Sequence, residues 1–389
     1  MTVGTRSARS RRRTALAMTG ITIVGVFGLT ACSGGADTAS SPVPSNEIQE
    51  GVYPDYYGAD YEALVETAKA EGGELEIYSN TDQENWAPVF RDFKKKYPWI
   101  TKVSANNLGS DEVFQRQLSE QATGNAPADL LVSNATQAWA DFAERDGTLL
   151  DYTSPEIAQL PDFAQVLPNV VAMSADPQTI AYNTSLLPEG PTGLASLADA
   201  VSENPSQFQN MIGVRDITGA FGYTMFHYLT EAKPEAWDSL AKILPLTRPE
   251  TSSGTLTEKT LSGEYVASIL VTAAPAFPTV RDSNGLFEIV LPDDGTVVIP
   301  RGIGIAATAP HPATAKLFTD FVLSAEGQQA ILEGGLASYR EGVESVPNAY
   351  SYQDVVEEVG EDEVILAPYA IADDATVTEF TDKWNSLIK

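Results

Sequence analysis

Cysteine, histidine and positive charge are all scarce in this chain of 389 residues, which holds 1 Cys, 2 His, and 24 Lys+Arg against 53 Asp+Glu. One cysteine excludes a disulfide framework, and two well-separated histidines beside it are too few for a structural zinc site of Cys/His type. The formal charge of −29 excludes binding to a nucleic-acid backbone, which needs a basic stripe. Beyond the first 31 residues there is no apolar run of transmembrane length. The Gly-x-Ser-x-Gly elbow, the His-Glu-x-x-His pair and the P-loop are missing too, so no catalytic residue, metal ligand or cofactor is implied. With 53 carboxylates, a glycosidase-like pair in a secreted hydrolase stays open as an alternative. What is present is length: at about 150 residues per domain, the chain suffices for two domains with real cores.

The few basic residues are concentrated at the start. Residues 1–31 carry Arg6, Arg9, Arg11, Arg12, Arg13 and no acid, which leaves the remainder at −34. An uncharged run of 18 residues, Thr14 to Ala31, follows the arginines, as an apolar h-region follows a positive n-region. It closes on Leu29-Thr30-Ala31-Cys32, which resembles the bacterial lipoprotein signal. That resemblance implies a signal peptide over 1–31 and lipidation of Cys32; the Arg12-Arg13 pair leaves Sec and Tat export both open. Residues 33 to about 52 are small, polar and rich in Pro and Ser, so 32–58 reads as a lipidated cysteine and flexible tether. The expected location is the extracytoplasmic face of the membrane, in the periplasm or cell envelope.

The body alternates short strands and helices, the pattern of an α/β fold. Strands are expected at 74–79, 128–133, 179–182, 211–215, 265–271, 286–291 and 296–299. Pro88 places a helix start near Asn85, with a kinked helix from Asp82 as the alternative, and Ser110 is expected to cap the next helix. In such sheets ligands sit where strands end and helices begin. Three of these junctions are rich in small hydrogen-bonding residues: Ser79-Asn80-Thr81-Asp82, Ser133-Asn134-Ala135-Thr136, and Asp216 to Phe221. If Thr218 caps the helix of the third, the free N–H groups of Gly219, Ala220 and Phe221 and the helix dipole make a site for an oxyanion. The plain alternative is that Thr218 only caps its helix and Gly219 only allows close packing.

The segments AKAEGGELEIYSNT (68–81), FKKKYP (93–98), APADLLVSNAT (126–136), IAYNTSLLP (180–188), IGVRDITGAFG (212–222), LSGEYVASILV (261–271) and AKLFTDFVLSAEGQQAIL (315–332) occur in this order. Together they resemble the extracellular solute-binding proteins of ABC importers, in the branch of ferric-ion, phosphonate, thiamine and sugar-phosphate binders. The resemblance implies two α/β lobes of the periplasmic-binding-protein type, each a mixed sheet flanked by helices, with a ligand cleft at the hinge. Lobe 1 is expected over 59–178 plus about 296–340, and lobe 2 over 184–292. The C-terminal segment 341–389 is left unassigned, and the protein is expected to act as a monomer. IAYNT matches a segment that crosses between lobes, which puts Tyr182 and Asn183 at the hinge. The implied partners are a small-molecule solute and a membrane permease.

By the same resemblance, ferric binders carry a His, a Glu and two adjacent tyrosines where this chain has Asp82, Asn134 and Thr272-Ala273-Ala274. Without phenolates a hard ferric ion loses its main anionic donors. The expected ligand is therefore a small organic molecule with a phosphate, phosphonate or carboxylate group; ferric ion and polyamine remain alternatives. The expected contacts are Ser79, Asn80, Thr81, Ser133 and Asn134 from lobe 1, and Thr218, Gly219, Ala220 and Phe221 from lobe 2. Arg215, Arg281 and Arg301 lie at or near strand ends, and Arg301 is taken as the cationic contact. The acidic surface does not exclude an anion, because charges farther than about 8 Å are largely screened at physiological salt. Tyr53, Tyr56, Tyr57 and Tyr61 read as a docked N-terminal segment. Trp86 reads equally as a ligand-stacking or a buried ring, and His227 and His311 as structural.

Overall fold

The alternation of strands and helices is present in a computed structural model of the chain, which describes Ile48 and residues 51–388; the expected signal peptide and Cys32 lie outside the described residues. Three parallel strands, β1 (Glu74–Ser79), β2 (Lys102–Asn107) and β3 (Leu130–Ser133), form a half-sheet in the order β2-β1-β3. After the short β4 (Gln165–Leu167) comes the long β5 (Val170–Asn183), almost wholly buried. A second parallel set, β6 (Ile212–Arg215), β7 (Thr247–Glu250) and β8 (Ala267–Thr272), is ordered β8-β6-β7. The chain then adds β9 (Phe287–Val290), the long β10 (Thr296–Ile305) and β11 (Val364–Leu366).

Two long antiparallel strands join the parallel sets. β10 runs between β3 and β5, and β5 pairs with β10 up to Pro177 but with β8 from Gln178 onward. The chain therefore crosses from one half-sheet to the other at Pro177–Gln178. Tyr182 and Asn183, the expected hinge, instead lie at the far end of β5, opposite Glu288 and Phe287 of β9. Both strands run longer than the expected 179–182 and 296–299, because Asp176-Pro177-Gln178 in β5 and Pro300-Arg301-Gly302 in β10 read as strand breaks, although both strands are buried along nearly their whole length. Leu270, beside the register slip between β5 and β8, has φ 51°, an uncommon conformation for a bulky side chain.

Each half-sheet has its own core. In the first, Leu75, Ile77, Leu130 and Val132 pack against Trp86, Phe93, Phe318 and Phe321 from flanking helices. In the second, Ile212, Val214 and Ile269 pack against Phe226, Leu229 and Leu240, and the C-terminal helix Asp374–Leu387 adds Phe380 and Trp384. The tyrosine-rich N-terminal segment docks as read: Tyr56 and Tyr57 donate to the buried Glu156, and Tyr61 donates to the buried Asp320.

Two helix starts in the first half differ from expectation. The first helix after β1 spans Gln83–Lys96 with Asp82 at its N-cap, so Pro88 lies inside it, as in the kinked alternative. The next spans Glu112–Ala122 with Asp111, not Ser110, at its N-cap.

Candidate functional site

The carboxyl ends of all six parallel strands, three from each half, face one cavity of about 530 Å³. From the first half come Asn80, Thr81 and Asp82 after β1, residues 107–112 at the end of β2 and beyond it, and Asn134 after β3. The second half contributes Arg215, Asp216, Thr218, Gly219 and Phe221 at β6, residues 251–254 after β7, and Thr272, Ala274 and Pro275 at β8. Arg301 reaches the same space from the middle of β10. This is where an open α/β sheet collects ligands, because helix N-termini and loop backbone groups converge there.

Of the expected contacts, Asn80, Thr81, Asn134, Thr218, Gly219, Phe221 and Arg301 line the cavity. Ser79, Ser133 and Ala220 do not. Ser79 and Ser133 are fully buried, and their hydroxyls brace the turns that follow, accepting the N–H groups of Thr81 and Ala135. Trp86 is likewise buried, donating its ring N–H to Ser79, so it presents no stacking face to the cavity. His227 stacks on Tyr223, and His311 is tied to Asp129, so both histidines are structural. Arg281 is exposed beside Asp282, away from the cavity.

The third junction folds differently from its sequence reading. Its helix spans Ala220–Ala232 with Gly219 at the N-cap, while the N–H and hydroxyl of Thr218 both donate to Oδ1 of Asp216. A local Asp-Thr turn, with two bonds to one carboxylate oxygen, outcompetes helix capping by Thr218. The glycine needed for close packing is Gly222: a Cβ there would stand 2.1 Å from the Asp216 carbonyl oxygen. A Cβ on Gly219 would come no closer than 3.8 Å to that oxygen.

Two arginines face the cavity in different states. Arg301, 3% exposed, is spoken for: its Nε and Nη2 meet Asp176 Oδ2 at 2.8 and 2.7 Å, and its Nη1 donates to Asn80 and Thr81 at 2.9 and 3.1 Å. It thereby fixes the turn after β1 to the crossing strand β5. For Arg215, no carboxylate of the described residues lies within 4.0 Å, and its buried Nε has no hydrogen-bond partner. Its guanidinium sits 5.1 Å from the Phe221 ring centroid, and burial pulls its pKa down to about 10. Across the cleft, Asp111 is pushed above the usual carboxylate range by burial, against the opposing effects of the Ala220 N–H and Arg215.

The loops after β2 and β7 were not anticipated as site elements. β2 (KVSANN) is only half-buried and β7 (TRPE) carries a proline and two charges, so neither reads as a core strand. The available signal was the small polar run Thr251-Ser252-Ser253-Gly254, where Ser252 accepts the Thr255 N–H and caps the next helix. No tyrosine or histidine lines the cavity, and among the described residues no cluster of three or more His, Cys, Asp or Glu could hold a metal ion.

A family model described as bacterial extracellular solute-binding protein matches residues 89–357, and the chain belongs to that family. Iron uptake protein A1 of Synechocystis sp. is 25% identical over 303 residues, which is 71% of this chain and 78% of the relative. Among solved structures, the substrate binding protein of the ABC transporter from Agrobacterium tumefaciens superposes with a TM-score of 0.72 at 19% identity, covering 82% of this chain and 96% of the other. The periplasmic binding protein AfuA from Actinobacillus pleuropneumoniae, with fructose-6-phosphate bound, gives 0.64 at 21% identity, with coverage of 80% and 99%. Iron-bound HitA from Pseudomonas aeruginosa gives 0.61 at 20% identity, with coverage of 81% and 99%. These likenesses establish the two-lobed periplasmic-binding-protein fold, and a family of solute binders rather than enzymes.

Proposed function

We propose that this member of the extracellular solute-binding family captures a small organic solute bearing a phosphate, phosphonate or carboxylate group and delivers it to the permease of an ABC importer. In this reading Cys32 carries the lipid anchor, 59–178 with about 296–340 form lobe 1, and 184–292 form lobe 2. The observation that carries the ligand class is Arg215, a cavity-lining guanidinium without an ion-pair partner among the described residues, at the foot of the helix that starts at Ala220. Leaving a desolvated cation unpaired is costly, and the group that relieves the cost is an anion. A fork of guanidinium donors next to free helix N–H groups suits a tetrahedral or planar oxyanion. The amide, hydroxyl and carboxylate groups of Asn80, Asn134, Ser252 and Asp82 line the rest of the cavity and suit a hydroxylated body.

No bond is made or broken in this mechanism. The ligand favours the closed arrangement by touching both lobes, Arg215 and Gly219 on one side and Asn80, Thr81 and Asn134 on the other, so its differential affinity shifts the population. Iron is a second reading, favoured by the names of Iron uptake protein A1 and iron-bound HitA. Its weakness is chemical, since the cavity offers neither phenolate nor imidazole.

A thermal-shift panel tests the choice, run with phosphorylated sugars, phosphonates, carboxylates, polyamines, thiamine and ferric salts. At a hundredfold excess over Kd a true ligand adds about 2.7 kcal/mol of stability. A shift with an organic anion is expected; a shift with ferric salt alone overturns the anion reading.

A further inference from the structure

The subsite just assigned to the solute's anion already has an anionic neighbour supplied by the protein itself. Asp111 follows β2 of the first half-sheet as N-cap of the helix Glu112–Ala122, and lines the same cavity as Arg215 and Gly219, the N-cap of the Ala220 helix of the second. The Ala220 N–H and Arg215 both favour its ionised form, against burial. Its Oδ1 is buried without a hydrogen-bond partner, as is Nε of Arg215, so each of the two opposed ions retains an unmet polar atom. The other carboxylates nearby are differently engaged: Asp216 holds Thr218, Glu112 accepts the Gly109 N–H, and Asp82 accepts from Asn107. Asp111 is thus the acid placed to act as a counter-anion across the cleft.

We infer that Asp111 is a built-in occupant of the anion subsite: it bridges the lobes when no solute is present and must be displaced by the solute's anionic group. The inference rests on the anion reading for its second half only. Two consequences follow from the geometry. Without solute, the bridge protects the Ala220 end of the helix. With solute, the carboxylate repels and competes with the incoming anion, so it sets a threshold that weakly charged solutes fail to pass.

The test uses the full chain in detergent, as wild type, Asp111→Asn, Arg215→Met and the double variant. Hydrogen exchange without solute reads the bridge alone, because it follows the amides at 219–221. In Asp111→Asn these amides are expected to exchange about tenfold faster, the loss of one charge-assisted bond; unchanged exchange overturns the inference. Calorimetric titration with inorganic phosphate reads the competition. Asp111→Asn is expected to bind phosphate about five- to tenfold more tightly than wild type, and equal or weaker binding, where wild type binds, overturns it. Arg215→Met is expected to abolish phosphate binding in both backgrounds. If binding survives Arg215→Met, or no form binds phosphate, the anion reading fails, and the exchange rates still decide whether Asp111 bridges the cleft.

Discussion

Arg301 and Arg215 line the same cavity from opposite halves of the molecule, yet one is structure and the other is capacity. Arg301 is locked between Asp176 on the crossing strand and the Asn80-Thr81 turn, so its charge is neutralised within the fold. Arg215 has the aromatic face of Phe221 and two acids beyond ion-pair distance, and burial depresses its pKa to about 10. Burial alone therefore does not identify a binding arginine. What distinguishes the two is whether the fold has already supplied the counter-charge. A group kept short of partners is where a protein holds free energy in reserve for a ligand.

The sharpest way to break this comparison is to remove each charge in turn. Arg301→Met leaves Asp176 buried without its guanidinium partner, and a loss of about 3–5 kcal/mol is expected in denaturant unfolding. A cost below about 1 kcal/mol would mean that the pair is not structural. Next in size is the wall beside Arg215. Gly222→Ala drives a methyl group into the Asp216 carbonyl and is expected to cost about 1–3 kcal/mol. Gly219→Ala, with space around it, is expected to change stability by less than about 1 kcal/mol. Equal costs in the two variants would refute the close approach at Gly222. Arg215→Met then supplies the contrast to Arg301→Met: it removes a desolvated cation with no carboxylate of the described residues within 4.0 Å, so the stability without solute is expected to change by less than about 1 kcal/mol. Affinity for the anionic solute is expected to fall by about 1.5–3 kcal/mol, more than tenfold, by calorimetry. A fall in both stability and affinity would make Arg215 a second Arg301.

The sequence disclosed the architecture more fully than the site. Strand-helix alternation, the small polar residues after β1, β3 and β6, and the docked tyrosine segment were all legible because they rest on local pattern. The choice between the arginines was not. Arg301 and Asp176 are 125 residues apart, and nothing local to Arg301 announces that its charge is already met. The same holds for Asp111, whose role depends on a helix start more than 100 residues away in the chain. Two helix starts lie one residue from expectation for a local reason, since Ser110-Asp111 and Thr218-Gly219 each offer adjacent capping residues and three-dimensional pairing selects one, whereas the start at Asp82 is earlier because the helix carries Pro88 inside it. The crossing point, Pro177–Gln178, is a proline between two polar residues that reads as a strand end, although β5 runs through it buried.

Thr218 is the smallest lever and separates two explanations of the same loop. Its hydroxyl donates to Asp216 Oδ1 at 2.8 Å, so in the absence of solute it restrains the carboxylate nearest to Arg215 in sequence. An oxyanion arriving at Arg215 can accept that hydroxyl in place of Asp216, and the backbone N–H of Thr218 still holds the aspartate. Thr218→Val removes the exchangeable bond and keeps the volume, so affinity is expected to fall about tenfold, or 1.4 kcal/mol, while stability changes by no more than about 1 kcal/mol. Calorimetry and denaturant unfolding on the same preparation read the two quantities separately. Lost stability with unchanged affinity makes Thr218 a fastener of the Asp216 turn, and the contrast between the arginines then rests on Arg215 and the Ala220 helix alone.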